Sequence, residues 1–103
     1  MGQFDVHRNP KQGREKIPYV VDLQSDLLST LPTRLVVPLM RASAFGTPIG
    51  RLHPSFVIEG TAVIMLTTEM GVLPPQALGG AVASLGHART VIIDAIDMLI
   101  TGV

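Results

Sequence analysis

Two carboxylates near the end of the chain, Asp94 and Asp97, stand three residues apart. On a helix that spacing puts them one turn apart on one face, where one carboxyl can serve as acid and the other as base. His87, Thr90 and Thr101 fall on the same stripe, at alternating steps of three and four residues. A stripe that gathers the polar residues of a helix is read as its solvated face, so the pair is assigned to solvent rather than to catalysis. The histidines His7, His53 and His87 lie in separate segments without metal-ligand spacing, and cysteine is absent. No metal site and no thiol chemistry is expected. Nor does the chain contain a glycine-rich phosphate loop, a His-Glu-x-x-His pair or a nucleophile elbow. The expectation is a protein without catalytic residues or cofactor.

A basic run remains to be weighed. Arg8, Lys11, Arg14 and Lys16 occur within nine positions. Such a run can bind phosphate, but Glu15 interrupts it and no aromatic residue is interleaved for base stacking. It is read as a solvated hairpin loop. Eight basic and eight acidic residues cancel over the 103 residues, which removes the global field that draws proteins to nucleic acid. Direct nucleic-acid binding is not expected.

The elements that carry these residues are short. Gln3–His7 alternates with period two and reads as a strand with Phe4 and Val6 inward. Pro18–Gln24 is a second, β-branched strand, after which Gln24–Ser29 leaves the sheet. Leu27 and Leu28 are adjacent, so one backbone cannot easily bury both on one face. Either one of them meets solvent or a partner, or a bent-back loop takes it. Thr33–Leu39 is a nearly continuous apolar strand that suits burial on both faces. Pro38 requires it to end, bulge or face an edge, because proline donates no ladder hydrogen bond. Residues 41–52 read as a loop with one helical turn. Ser55–Ile58, a turn at Glu59-Gly60 and Thr61–Thr68 form a hairpin. Val72–Pro75 reads as a stiff extended link, and Gly79-Gly80 as a break before the final helix. Five or six antiparallel strands in so short a chain fold most economically as a small, partly closed barrel.

The final segment, Ser84–Val103, is the one long helix, with a short free tail. Its remaining residues, Val91 to Ile93, Ala95, Ile96 and Met98 to Ile100, wrap apolar surface around roughly three quarters of the circumference, more than a helix on a domain surface needs. Ile96 is read as facing inward. The excess apolar face needs a second cover, either a second copy of the chain or a deep groove of the same domain. A hydrophobic content of 47% with only 4% aromatic residues points the same way, toward an aliphatic core and a dimer or a tightly held partner. With two Asp inside it the helix is too charged and too short to span a bilayer, so no membrane role is expected. Met1-Gly2-Gln3-Phe4-Asp5 has neither a secretory signal nor a myristoylation pattern, and a cytoplasmic location is expected.

Several blocks, in order along the chain, resemble the CcdB family of bacterial toxins. They are Gln3-Phe4-Asp5-Val6, then Val21-Asp22-Leu23-Gln24-Ser25-Asp26-Leu27-Leu28, then Arg34 to Leu39, Leu66 to Met70, and the closing Leu99-Ile100-Thr101-Gly102-Val103. The Asp-x-Gln-Ser-Asp stretch and the ending of glycine and an aliphatic residue are the specific parts. The resemblance runs end to end. It implies one domain over 1–103, an SH3-like antiparallel barrel over 1–80 with a C-terminal helix over about 84–101, and a homodimer. It also implies poisoning of DNA gyrase through its GyrA subunit, neutralised by a CcdA-like antitoxin. By position, the gyrase-binding residues are Leu27, Leu28, Asp97, Thr101, Gly102 and Val103. Gln3, Phe4, His7 and Ser25 match functionally sensitive positions. This chain departs from the best-known member of the family in having Thr101 for a tryptophan and Asp97 for an asparagine. Two other readings are a MazF-type ribonuclease on the same barrel, which would need Arg14, Arg34 and Thr67 as its catalytic set, and a non-toxic homologue that keeps antitoxin binding.

Overall fold

The computed structural model describes residues 2–103. Seven strands form one antiparallel sheet: β1 (Asp5–Arg8), β2 (Tyr19–Asp22), β3 (Arg34–Arg41), β4 (Ser55–Ile58), β5 (Thr61–Met65), β6 (Gly71–Leu73) and β7 (Ala81–Ser84). Their order is β4-β5-β3-β2-β1-β7, with β6 pairing a separate part of β3. The sheet curls into a half-barrel and the single helix, α1 (Arg89–Thr101), follows it. No ladder joins β4 to β7, so the barrel stays open between them.

Alternation along the central strands fills two layers. Tyr19 and Val21 of β2, Val37 and Leu39 of β3, and Val63 and Met65 of β5 enter the main core with Phe4, Val6 and Ile92. Val20 and Val36 turn the other way and pack with Leu73 of β6 and Leu78. The strand through Val36 and Val37 is thus buried on both faces, as its unbroken apolar run requires.

Pro38 does not end or bend β3. The strand passes through it to Arg41, pairing Val20 opposite Pro38. On its other side β3 exchanges partners there: Arg34–Val36 pair with β6 and Leu39–Arg41 with β5. Pro38 sits in the gap between the two partners, where its carbonyl accepts the Leu66 N–H and its missing donor costs no ladder bond. The Glu59-Gly60 turn holds both residues at positive φ, 50° and 78°, the geometry that matches the twist of a two-residue hairpin.

Three assignments read from sequence are corrected. Val72 and Leu73 are not a link but part of β6, because they lie against Arg34 and Leu35 in register. Ser84 does not start the helix: Ala81–Ser84 is a strand. It adds to the free side of β1, and that pairing outweighs the helical pattern of so short a segment. Gly86–Ala88 then makes a separate 3-10 turn, so α1 begins at Arg89 and His87 lies outside the helical stripe. Within α1, Ile92 and Ala95 are fully buried. Ile96 is only partly so, packing at the margin of the core. Val91, Leu99 and Ile100 stand in solvent. No helix among the described residues is long and apolar enough to cross a membrane.

Candidate functional site: a loop and a tail at opposite ends of the helix

The Asp-x-Gln-Ser-Asp stretch builds the loop after β2. Asp22 Oδ1 accepts the Gln24 N–H at 2.9 Å, which turns the chain out of the strand. Gln24 spans the loop: its Oε1 accepts the Leu35 N–H at 3.1 Å and its Nε2 donates to the Leu28 carbonyl at 2.8 Å. Ser25 caps the 3-10 turn Asp26–Leu28, its Oγ accepting the Leu27 N–H at 3.2 Å. Asp26 Oδ1 accepts the Gln3 N–H at 2.8 Å. On this braced turn Leu27 is left 93% exposed and Leu28 49% exposed.

The amino-terminal residues brace the same loop. Gln3 Nε2 donates to the Leu23 carbonyl at 3.1 Å. Phe4 is buried at a φ of 68°, a left-handed conformation that costs a non-glycine residue roughly 1–3 kcal/mol. Bonds on both sides hold it there: the Phe4 N–H donates to the Asp22 carbonyl, and its own carbonyl accepts the Leu85 N–H. Arg89, the first residue of α1, lies over the Phe4 ring at 5.6 Å and reaches Gln3 Oε1 at 3.3 Å. Gln3, Phe4, Ser25, Leu27 and Leu28 therefore form one group beside the start of the helix.

Asp97, Thr101, Gly102 and Val103 belong to its other end. Thirteen residues of helix, at 1.5 Å each, set the two ends about 20 Å apart. The tail is not free, contrary to the sequence expectation. The Thr101 hydroxyl donates to the Asp97 carbonyl at 2.7 Å. Gly102 adopts a φ of 74° and its N–H donates to the Met98 carbonyl at 3.0 Å, the left-handed closure for which glycine is suited. Val103 nonetheless remains 77% exposed. His7 joins neither group. It is buried, with Nδ1 2.8 Å from the Gly79 carbonyl and Nε2 without a partner.

Asp94 is corrected from a solvated carboxylate to a paired one. Both of its oxygens are taken by Arg51, at 2.7 and 2.6 Å. The Arg51 guanidinium holds its carboxyl below the usual range, and Asp94 in turn raises the arginine. The sequence pattern marks neither Arg51 nor Arg89, and Asp26 only as part of the Asp-x-Gln-Ser-Asp stretch. Arg51 sits in a loop 43 residues from Asp94, and no local spacing marks a partner so distant.

The residues a ribonuclease would need are occupied with structure. Arg34 is buried against Asp22, and the buried Thr67 hydroxyl donates to the Leu52 carbonyl. Arg14 donates through Nε to the Asn9 carbonyl, while Arg8 pairs with Glu59 at 3.2 Å. Among the described residues no group of three or more His, Cys, Asp or Glu is placed to hold a metal.

A half-barrel with one terminal helix, holding an apolar loop and an apolar tail out to solvent, defines a protein whose conspicuous surface is suited to meeting other proteins. The family model described as CcdB protein matches residues 3–102, nearly the whole chain. The chain belongs to the CcdB family, whose members are toxins of toxin–antitoxin modules.

Proposed function

We propose that this protein is the toxin of a type II module that poisons DNA gyrase by binding its GyrA subunit, and that a CcdA-like antitoxin neutralises it in the cytoplasm. The reading draws on family membership. The observation that carries it is the exposure of Leu27, Leu28 and Val103 on backbone held by hydrogen bonds from Ser25, Gln24 and Arg51. Ordered apolar side chains in solvent are what a preformed protein interface presents. The protein acts by contact and trapping rather than by chemistry of its own, with Leu27, Leu28, Asp97, Thr101, Gly102 and Val103 as the contact residues. A homodimer would cover Val91, Leu99 and Ile100 of α1, which the single chain leaves exposed. The antitoxin's extended segment is assigned to the outer face of the sheet. A groove there is floored by Ile17, Val20, Val36 and Leu73 and rimmed by Lys11, Gln12 and Glu69, beside the edge of β6 that has no strand partner.

The deciding experiment incubates the protein with gyrase, ATP and supercoiled plasmid, then denatures the enzyme. Linear DNA that disappears when GyrA is altered is expected. A folded protein that yields no linear DNA would overturn the gyrase reading.

A further inference from the structure

Apolar residues at a chain end usually fray, because nothing buried holds them. Here the last three residues are exposed and yet bonded at every step. Besides the Thr101 and Gly102 bonds, the Val103 N–H lies 3.4 Å from Thr101 Oγ1. The outermost link comes from outside the helix: Arg51 Nη2 donates to the Val103 carbonyl at 2.9 Å. The same guanidinium grips Asp94, two turns back along α1. One planar fork thus ties the body of the helix and the end of the tail to the 3-10 turn Gly50–Leu52. A lysine, a single point charge, lacks the geometry for this.

The pair is half exposed, where ion pairs add little to global stability. Its effect lies in what it holds. We propose that Arg51 is a positioning residue for the tail: it fixes Thr101–Val103 in the conformation that meets GyrA, and so sets the affinity of a contact it does not itself make. This rests on the gyrase reading above. A tail released from Arg51 would have to be ordered again on binding, and preorganisation of that kind is worth ~10-fold in affinity.

The test uses the full chain, Arg51→Ala and Asp94→Ala. The second variant keeps the arginine but removes its anchor. Amide 15N relaxation of Gly102 and Val103 reads tail order, and titration onto purified GyrA reads affinity. Both variants are expected to loosen the tail, to bind ~10-fold more weakly and to melt within a few degrees of the parent. An equally ordered tail in Arg51→Ala overturns the proposal. So does weakened binding in Arg51→Ala alone, since that marks a direct contact with gyrase. If the parent itself does not bind GyrA, the gyrase reading falls, while relaxation still reports whether Arg51 holds the tail.

Discussion

Arg34 and Asp22 meet diagonally across β2 and β3, Nε to Oδ2 at 2.8 Å, with side chains 2% and 0% exposed. The other Asp22 oxygen holds the Gln24 N–H, so the pair joins the sheet to the loop that carries Leu27. Removing one member leaves an unpaired buried charge, which typically costs about 3–5 kcal/mol. Asp22→Ala is expected to lower the stability from denaturant unfolding by that much without changing the slope. A loss below about 1 kcal/mol would mean that solvent reaches the pair.

The helix should separate stability from association. Ile92 is fully buried, and Ile92→Ala is expected to cost about 2–5 kcal/mol through the cavity it leaves. Ile100 is 73% exposed, and Ile100→Ser should change monomer stability by no more than about 0.5 kcal/mol while weakening the dimer. Light scattering at micromolar concentration checks the second half. A parent protein that is monomeric there would sink the dimer.

Deleting Thr101–Val103 should abolish linear DNA in the gyrase assay. The three residues are exposed, so the thermal midpoint should move little. A larger side chain at the same position tests the surface in the other direction. Thr101→Trp supplies an aromatic anchor of the sort that contributes about 2 kcal/mol or more at an interface, and is expected to tighten gyrase binding by ~30-fold. Unchanged affinity would remove position 101 from the contact.

Gyrase and antitoxin should be separable. Val72 is exposed beside the outer groove, far along the chain from both the loop and the tail. Val72→Lys is expected to weaken antitoxin binding and leave gyrase trapping intact, as read by parallel titrations. Loss of both would place the two partners on one surface.

Acid should release the tail before it unfolds the protein. The carboxyl of Asp94 is lowered in the folded state by its hydrogen bonds from Arg51. Its contribution is therefore fully present above the ordinary carboxylate value near ~3.9 and is lost as pH falls through the lower folded value. Asp97, on the same helix, favours the charged arginine as well. The Val103 amide resonance, followed by NMR, should shift with that titration. In Asp94→Ala it should not.

How much of this was legible in the sequence depended on range. The hairpin at Glu59-Gly60 and the two-faced burial of Val36 and Val37 follow from local rules of turn chemistry and alternation. So did an antiparallel sheet with one terminal helix. Adjacency left Leu27 and Leu28 open between solvent and a bent-back loop, and both are exposed. The additions of β6 and β7 were not legible, because each is three or four residues long and exists only through pairing with β3 or β1. The same holds at the candidate site. Spacing along α1 picked out Asp94 and Asp97 but could not show that one of them is paired, since Arg51 approaches from another part of the fold. Family resemblance supplied Gln3, Phe4 and Ser25, and in the structure the hydrogen bonds of these residues build and brace the loop.

β1 lies between β2 and β7, and its ladder joins Asp5 to Ser84. In a chain made from its amino end, Ser84, the second partner of Asp5, follows it by 79 residues. At ~5–20 residues per second, that is a wait of roughly 4 to 16 s. Arg89, which lies over the Phe4 ring, is made later still, and the Arg51 link to Val103 closes after it. During synthesis the β7 side of β1 therefore stays an unpaired edge long after β2 is available on its other side.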